Sequence, residues 1–464
     1  MLKRFKDNIS KFALIEMNDS ILVALSGGPD SVCLLMLLNN IKKQYRLKLF
    51  PIYINHMIRP EAAKKEIKFC RQLCKTLNLH LTIQVVNIPE IAKLEKISLE
   101  DAGRRFRYKI FSEILSEEKI DKIALGHHAD DNAETVLFRI FRGTGIKGLR
   151  GIPAKRGKII RPLISFRKSD IFDFLKKNKL SFCKDQSNKS SEFTRNYIRN
   201  ELLPEIRKRI NPEVVSALIN LSETAAEEDE YLASLTEKEI KRCLSITPGR
   251  KFEINLNKFN SLPGWQKKRV IRFCLRELSD RKSFPDRQTV ERILDLIISP
   301  KSSISLPYKQ RAELSQQSLF LFSDRKIEFN LELIINKRSQ LKELDIWLKA
   351  SQIKYLPNKS SFKRMSREVF LDYNKVIFPL LIRNSKPGDK FKPLGSSGNR
   401  KLSDYLIDKK LPRALRNEIL LVCDLKGIIW LSGFEIANRV KIDKLTKKVL
   451  KIEFDKRRHK KTAV

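Results

Sequence analysis

Apolar runs of strand length alternate with segments of helical periodicity through the first two hundred residues. We predict strands at 21–25, 47–55, 81–86 and 121–126, and helices near 31–41, 66–78 and 101–116. Strands that are apolar throughout, separated by helices, are typical of a parallel sheet covered on both faces. This pattern predicts a doubly wound, Rossmann-like α/β domain, which binds ligands beyond the carboxyl ends of its strands.

From about residue 206 the pattern changes to helical periodicity without intervening strands. Short alternating runs follow at 303–322, and a strand-rich segment that includes EILLVCD and GIIWLSG begins after 380. We therefore predict three domains: an α/β catalytic domain at 1–205, a helical middle domain at 206–325 and an α+β domain at 326–464. The last nine residues, KRRHKKTAV, are predicted to be a solvated basic tail.

Charge adds a candidate partner to this picture. The 464 residues include 94 Lys and Arg against 54 Asp and Glu, a formal net charge of +40, which would attract a polyanion such as nucleic acid. A general bias towards lysine would charge the surface in the same way and is the alternative. The absence of a long apolar run or signal peptide predicts a cytoplasmic protein with no membrane partner. Seven scattered cysteines without a CxxC pair predict neither a disulfide framework nor a zinc site.

A glycine-containing loop follows the first strand directly and leads into a helix. Its adjacent glycines let backbone N–H groups approach an anion, and the helix N-terminus favours negative charge. An aspartate inside a phosphate loop is explained by a bridging cation such as Mg²⁺; a helix cap is the structural alternative. Neither GxxxxGK[ST] nor GxGxxG is present, so neither a P-loop kinase nor a dinucleotide site fits this loop. The predicted ATP-binding residues are Ser26, Gly27, Gly28, Pro29, Asp30 and Ser31.

Further polar residues lie near the ends of two other strands. His56 follows the second strand, and GHHADDNAET (126–135) follows DKIALG. If the helix begins at His127, then His127, Asp131 and Glu134 share one face, where they could hold Mg²⁺, accept a proton and bind an ammonium group. A capping role for the acidic first turn is the alternative for a single carboxylate.

Taken in order, several motifs closely resemble those of tRNA(Ile)-lysidine synthetases, within the PP-loop family of N-type ATP pyrophosphatases. The resemblance covers most of 20–205 and is renewed within 380–445, at RNSKPGDK and GNRKLSDYLIDKKLPRALRNE. Departures are few: Met57-Ile58 stand where Gly-Leu is expected, and Gly103 stands where Ala is usual. The N-terminal motifs are SGGPDS, NHMIR, EDAGRRFRY, GHHADDNAET, IIRPLI, DQSN and RNYIRN.

The resemblance implies an ATP-dependent ligase that adenylates the wobble cytidine of tRNA(Ile) with a CAU anticodon and joins free L-lysine to it. ATP would be the substrate with Mg²⁺ held by Asp30 and Asp131, and the product would decode AUA instead of AUG. His127, Asp131, Glu134 and Arg195 are the expected catalytic residues. The other candidate site residues are His56, Arg104, Arg107 and Arg199. The middle and C-terminal domains are expected to bind the tRNA.

Three other functions are alternatives. A tRNA thiolase generally needs paired cysteines near its active site, and none are present. An asparagine-synthetase-like amidotransferase needs a glutaminase domain with an N-terminal Cys, whereas the sequence starts MLKRF. A nonenzymatic RNA-binding protein with a dead ATP fold should have lost the loop and the acidic cluster, which are intact. The sequence leaves the oligomeric state open, with a homodimer as one option, and does not show how tRNA(Ile) is distinguished from tRNA(Met).

Overall fold

The computed structural model describes most of the chain, and the described residues form two compact units, Met1–Leu232 and Ala233–Val464. The division falls within one long helix. The predicted domain boundaries after 205 and 325 stay predictions. The described residues are 1–183, 194–247, 251–279, 285–299, 302–324, 328–344, 346–354, 367–416 and 419–456.

The first unit is built on a six-stranded sheet. Its strands are β1 (Ser20–Ala24), β2 (Lys48–Asn55), β3 (Thr82–Val85), β4 (Lys122–Ala124), β5 (Lys155–Arg156) and β6 (Ile159–Ile160). They lie in the order β3-β2-β1-β4-β6-β5, parallel except for the β5–β6 pair. Because β1 lies between β2 and β4, the strand order reverses there, and ligand sites in such sheets form at the carboxyl ends around this reversal.

Helices cover both faces of this sheet. Val23 packs in a core with residues of the helix that follows the phosphate loop, whereas its neighbour Leu22 packs with Phe111 on the opposite face, as strand alternation requires. The doubly wound prediction is therefore confirmed. The helices are α1 (Leu2–Lys11), α2 (Pro29–Tyr45), α3 (Pro60–Thr76), α4 (Ile88–Glu95), α5 (Leu99–Glu117), α6 (Ala129–Phe141), α7 (Ile146–Leu149), α8 (Lys168–Lys177), α9 (Thr194–Tyr197), a π-helical turn (Ile198–Leu202), α10 (Leu203–Arg209) and α11 (Val214–Cys243).

The second unit begins within α11 and contains the part of the predicted helical region that follows residue 232. Its elements up to residue 323 are β7 (Leu244–Thr247), β8 (Lys251–Asn255), α12 (Leu256–Asn260), α13 (Gly264–Leu278), α14 (Arg287–Ile298), β9 (Ser303–Leu306), β10 (Gln310–Ser315) and β11 (Ser318–Ser323). The helices pack against an antiparallel sheet in the order β7-β8-β11-β10-β9. The helical periodicity did not predict β7 and β8, because strands of four or five residues show too few alternations.

The C-terminal part is the predicted α+β region, with strands in three further sheets. Two helices, α15 (Leu402–Asp408) and α16 (Arg413–Arg416), accompany them. The strands are β12 (Asn330–Leu333), β13 (Arg338–Leu341), β14 (Ile346–Ile353), β15 (Glu368–Asp372), β16 (Leu380–Arg383), β17 (Lys390–Phe391), β18 (Arg400–Lys401), β19 (Leu421–Asp424), β20 (Gly427–Leu431), β21 (Glu435–Ile436) and β22 (Val449–Lys456). The sheets run β12-β16-β19-β20-β21, β13-β14-β22-β15 and β17-β18. Within the described ranges, no helix has the length and apolarity that a membrane span requires.

Candidate active site

The phosphate loop connects β1 to α2 and is held by hydrogen bonds of its own hydroxyl groups. The Ser31 hydroxyl donates to the Gly28 carbonyl at 2.9 Å and accepts from the Ser26 N–H at 3.2 Å. Helix α2 begins at Pro29, whereas the sequence predicted Ser31 or Val32. Proline suits the first helical position because its φ is already helical and no N–H is needed there. The loop therefore ends in a helix N-terminus that favours an anion.

Gly27 is the most constrained residue of the loop. Its φ is +81°, which favours glycine, and a Cβ placed there would lie 3.3 Å from the Cys70 Sγ and 3.4 Å from the Cys183 Sγ. The Cys183 N–H also donates to the Gly27 carbonyl at 2.9 Å. Cys70 is fully buried on α3. The part played by Cys183 was not predicted, because no local pattern links it to the loop.

Asp30 has the environment expected of a cation ligand. Among the described residues, its Oδ1 is buried without a hydrogen-bond partner, and the His128 Nε2 lies 3.8 Å from it. Burial raises the pKa of Asp30 despite the opposing charge of His128. Gly126, at the end of β4, allows the strand to approach, since a Cβ there would lie 3.2 Å from the Asp30 carbonyl carbon. The unpaired oxygen fits a hard cation, which prefers oxygen ligands.

The acidic helix α6 begins at Ala129, so the predicted start at His127 is wrong. His128 caps the helix: its Nδ1 accepts from the Asp131 N–H at 3.4 Å, and the Asp131 Oδ2 accepts from the His128 N–H at 3.1 Å. This reciprocal box satisfies two N–H groups of the helix start. His127 consequently lies before the helix and does not share its face, whereas Asp131 and Glu134 do.

Arg199 joins these two carboxylates. Its Nε and Nη2 donate to the two oxygens of Glu134 at 2.6 and 2.7 Å, and the Nη2 also donates to the Asp131 Oδ1 at 2.8 Å. Burial raises the pKa of Glu134, and the Arg199 hydrogen bond opposes the rise. Burial alone would lower the pKa of Arg199, but its bonds to Glu134 outweigh this and the pKa is raised. The pair is thus a charge-assisted interaction in a partly buried setting.

The sequence placed Arg199 behind Arg195 as a candidate, and the structure brings Arg199 to the carboxylates. Arg199 lies in the π-helical turn, a type of element that frequently marks functional sites. The side chain of Arg195 lies outside the described residues, as do Asp185, Gln186, Ser187 and Asn188 of the DQSN motif.

Two histidines lie at the same edge of the sheet. Burial, with a contribution from Arg107, lowers the pKa of His56 to about 4. Burial also lowers the pKa of His127 to about 4. The negative charge of Asp131 opposes this change, whereas the positive charges of Arg161 and Arg107 contribute to it. In the described part of the chain the Nδ1 atoms of both are buried without a hydrogen-bond partner. Both imidazoles are therefore neutral at pH 7 and can accept a proton or a hydrogen bond.

The sheet order, the phosphate loop at β1 and the acidic helix after β4 together define an ATP-binding domain of the PP-loop class. A sequence profile for the PP-loop domain matches residues 1–206, and a profile for the TilS substrate C-terminal domain matches residues 380–453.

Two relatives that match over nearly their whole length identify the family within the PP-loop class. The tRNA(Ile)-lysidine synthase of Caldanaerobacter subterraneus subsp. tengcongensis is 34% identical over 98% of this chain and 98% of its own length. The tRNA(Ile)-lysidine synthase of Clostridioides difficile is 33% identical over 97% of this chain and 98% of its own length. The chain belongs to the tRNA(Ile)-lysidine synthase family.

Proposed function

We propose that this chain ligates L-lysine to the wobble cytidine of tRNA(Ile) with a CAU anticodon, converting ATP to AMP and pyrophosphate. The observation that carries the proposal is the placement of a phosphate loop beside the half-buried Asp131 and the buried Glu134, in a chain that matches a lysidine synthase over 98% of its length. The loop suits the nucleotide, and the carboxylates suit the lysine.

In the first step, the phosphate loop and the N-terminus of α2 would hold the pyrophosphate half of ATP. A Mg²⁺ ion held by Asp30, and by Asp131 as a second ligand, would neutralise phosphate charge. The cytidine carbonyl oxygen attacks the α-phosphate, and pyrophosphate leaves. The Oδ1 of Asp30, which has no partner among the residues that the structure describes, supports this role, because a buried carboxylate oxygen requires a partner. Arg195 and Arg199 are the proposed sources of positive charge for the phosphoryl group.

In the second step, the neutral ε-amine of lysine attacks the adenylated ring carbon and AMP leaves. We propose that Glu134 binds the ammonium group of lysine and that Asp131 accepts the proton of the attacking amine. Neutral His127 would be the neighbour of Asp131 at the reaction centre. The contact of both carboxylates with a guanidinium supports this assignment, since the same oxygens can accept an ammonium group. Lysine binding would then replace the Arg199 guanidinium at these oxygens with the ammonium group of lysine.

A groove in the second unit is the proposed tRNA-binding surface of the C-terminal domain. It has a volume of about 1010 Å³, and its lining includes four basic residues, Lys386, Lys401, Arg413 and Arg416, together with three carboxylates, Asp324, Glu328 and Asp389. Burial lowers the pKa of Arg416, with Arg413 as an additional cause. Several cations close together suit a phosphate backbone, to which most RNA-positioning contacts are made.

Transfer of radiolabelled lysine to a tRNA(Ile) transcript with a CAU anticodon tests the proposal, with a tRNA(Met) transcript as the control RNA. We expect ATP-dependent label on the first RNA alone, its loss in Asp30→Ala and its retention in Asp173→Ala, which changes an exposed aspartate. Release of AMP that the RNA stimulates without any lysine transfer would overturn lysidine synthesis.

A further inference from the structure

The side-chain amide of Asn132 joins the acidic helix α6 to two other parts of the first unit. Its Oδ1 accepts from the Ile152 N–H at 2.6 Å, in the segment that follows α7. Its Nδ2 donates to the Ser222 Oγ on α11 at 3.0 Å, and that hydroxyl donates in turn to the Ile219 carbonyl at 2.9 Å. Asn132 is 6% exposed and Ser222 is 3% exposed. Both ends of a buried amide are thus satisfied, each by a different element. We call Asn132, Ile152 and Ser222 the Asn132 clamp.

Gly151 lets the backbone approach this amide closely. Its φ is +59°, and a Cβ at this position would lie 1.9 Å from the Asn132 Oδ1 and 3.0 Å from the Val136 Cγ2. The first distance is far inside van der Waals contact, so a side chain at 151 would displace either the amide or the backbone. The bond between Asn132 and Ile152 therefore depends on glycine at position 151.

Two arginines fasten the same segment, residues 148–152. Arg139, near the end of α6, donates from its Nη1 to the carbonyls of Gly148 and Gly151, each at 2.9 Å. Arg150 pairs with Asp229 on α11 at 2.8 Å, and the Asp229 side chain is 4% exposed. Ser222 and Asp229 both precede the division of the chain after residue 232. The segment is thus fixed to α6 and to α11 within one compact unit.

The clamp and the reaction centre occupy different faces of α6. Asn132, Val136 and Arg139 are spaced by four and three residues, so they share one face. Asp131 and Glu134 are three residues apart and share another. A rotation of the helix about its axis would move both faces together, and a displacement of about 1 Å at a reacting group can lower a rate by about 100-fold. The bonds on the first face therefore determine where the two carboxylates lie.

We propose that Asn132 is a positioning residue for lysine transfer, which fixes the rotation of α6 and thereby directs Glu134 towards the ammonium group of lysine. This inference rests on the proposed function, because it takes Glu134 as the lysine-binding group. Apolar packing alone tolerates small rotations of a helix. Two directional hydrogen bonds to different elements specify a single orientation.

Asn132→Ala tests this role when the two half-reactions are measured separately on the tRNA(Ile) transcript. We expect kcat/KM for lysine to fall at least about tenfold, and kcat/KM for ATP in adenylation without lysine to change less than about threefold. A merely structural role would reduce the number of folded molecules and lower both values in the same proportion. An equal loss in the two half-reactions would therefore overturn the proposal.

Two other variants complete this comparison. Ser222→Ala removes one partner of the amide and should change the two half-reactions in the same directions as Asn132→Ala; it carries the test if Asn132→Ala does not fold. Asn8→Ala is the matched control, because Asn8 is a buried asparagine of α1 whose Nδ2 donates to the Pro162 carbonyl at 3.4 Å. We expect Asn8→Ala to lower the melting temperature without a preferential loss for lysine.

Gly151→Ala shows whether the effect passes through the contact with Asn132. In the parent protein the new Cβ would collide with the Asn132 Oδ1, so kcat/KM for lysine should fall as it does in Asn132→Ala. In the Asn132→Ala background this oxygen is absent, and adding Gly151→Ala should lower the value by less than about a further threefold. Fully additive effects of the two substitutions would overturn the clamp.

The proposed function and the positioning role fail in different ways. A parent protein that transfers no lysine to the tRNA(Ile) transcript would refute the proposed function. A parent protein that transfers lysine, with the same kcat/KM for lysine in Asn132→Ala and Ser222→Ala, would overturn the positioning role alone.

Discussion

Replacing Glu134 with glutamine removes one of the two negative charges that the Arg199 guanidinium contacts. Breaking a buried ion pair costs about 3–5 kcal/mol in a fully buried setting. Glu134 is 5% exposed, but the Arg199 side chain is 32% exposed and retains its bond to Asp131. We therefore expect Glu134→Gln to lower the free energy of unfolding by about 2 kcal/mol, which is below the range for a fully buried ion pair.

The same substitution should act on lysine more than on ATP. A hydrogen bond to a charged group is worth about 1.5–3 kcal/mol, which corresponds to a rise of roughly 10- to 100-fold in the KM for lysine. Adenylation of the tRNA in the absence of lysine should change by less than about threefold, because the phosphate loop is untouched.

The two half-reactions can be followed separately in Glu134→Gln, by AMP attached to the tRNA without lysine and by lysine transfer with it. Glu113→Gln is the matched control, since Glu113 is an exposed residue of α5 whose pairing with Lys109 spans 3.9 Å. A KM for lysine equal to that of the parent protein would refute the assignment of Glu134 to the ammonium group. So would an equal loss in both half-reactions, which would indicate a general collapse of the site.

Three further predictions concern backbone fit and pH. Gly27→Ala should raise the KM for ATP at least about tenfold and lower the melting temperature. The positive φ at this position is strained for alanine, and two thiols lie within 3.4 Å of the new Cβ. Gly28→Ala is the control and should fold normally, because among the described residues only the Ser26 hydroxyl lies near its new Cβ, at 3.5 Å. Gly103→Ala should stabilise the protein by about 0.5–1 kcal/mol in urea unfolding, since Gly103 lies inside α5 with its nearest neighbour 4.0 Å from the new Cβ; destabilisation would contradict this. Burial lowers the pKa of His56 and His127 to about 4, so between pH 6.5 and 4 the unfolded chain binds more protons than the folded chain. The free energy of unfolding should therefore fall by up to about 3 kcal/mol per histidine as the pH drops through this window. His56→Gln should make this decline less steep.

The sequence predicted those features whose signals are local. The phosphate loop, β1 and α2 follow one another within a short stretch, so their residues and the anion-binding geometry could be read together. The parallel sheet was equally accessible, because its central strands are apolar on both faces. The second unit was less complete, since β7 and β8 are too short for their alternation to stand out from the helices around them.

The missing parts of the site depend on long-range contacts or on competition between local bonds. Arg199 reaches Glu134 across 65 residues, and no periodicity connects them. The start of α6 was wrong because His128, an unusual capping residue, accepts from the Asp131 N–H and displaces His127 from the helix. Arg161 looked like part of an ordinary strand end, and only the structure reveals that its charge is buried.

The order in which the site is completed during synthesis follows from this topology. The phosphate loop emerges from the ribosome early, but its strand is tied down by a bond from the Ser20 N–H to the Asp121 carboxylate, 101 residues later. Arg199 emerges another 65 residues after Glu134. A nascent chain thus carries two acidic groups without their guanidinium, and closing such distant contacts is slow. The reaction centre can therefore be completed only after the chain has been synthesised as far as Arg199, close to the end of the first unit.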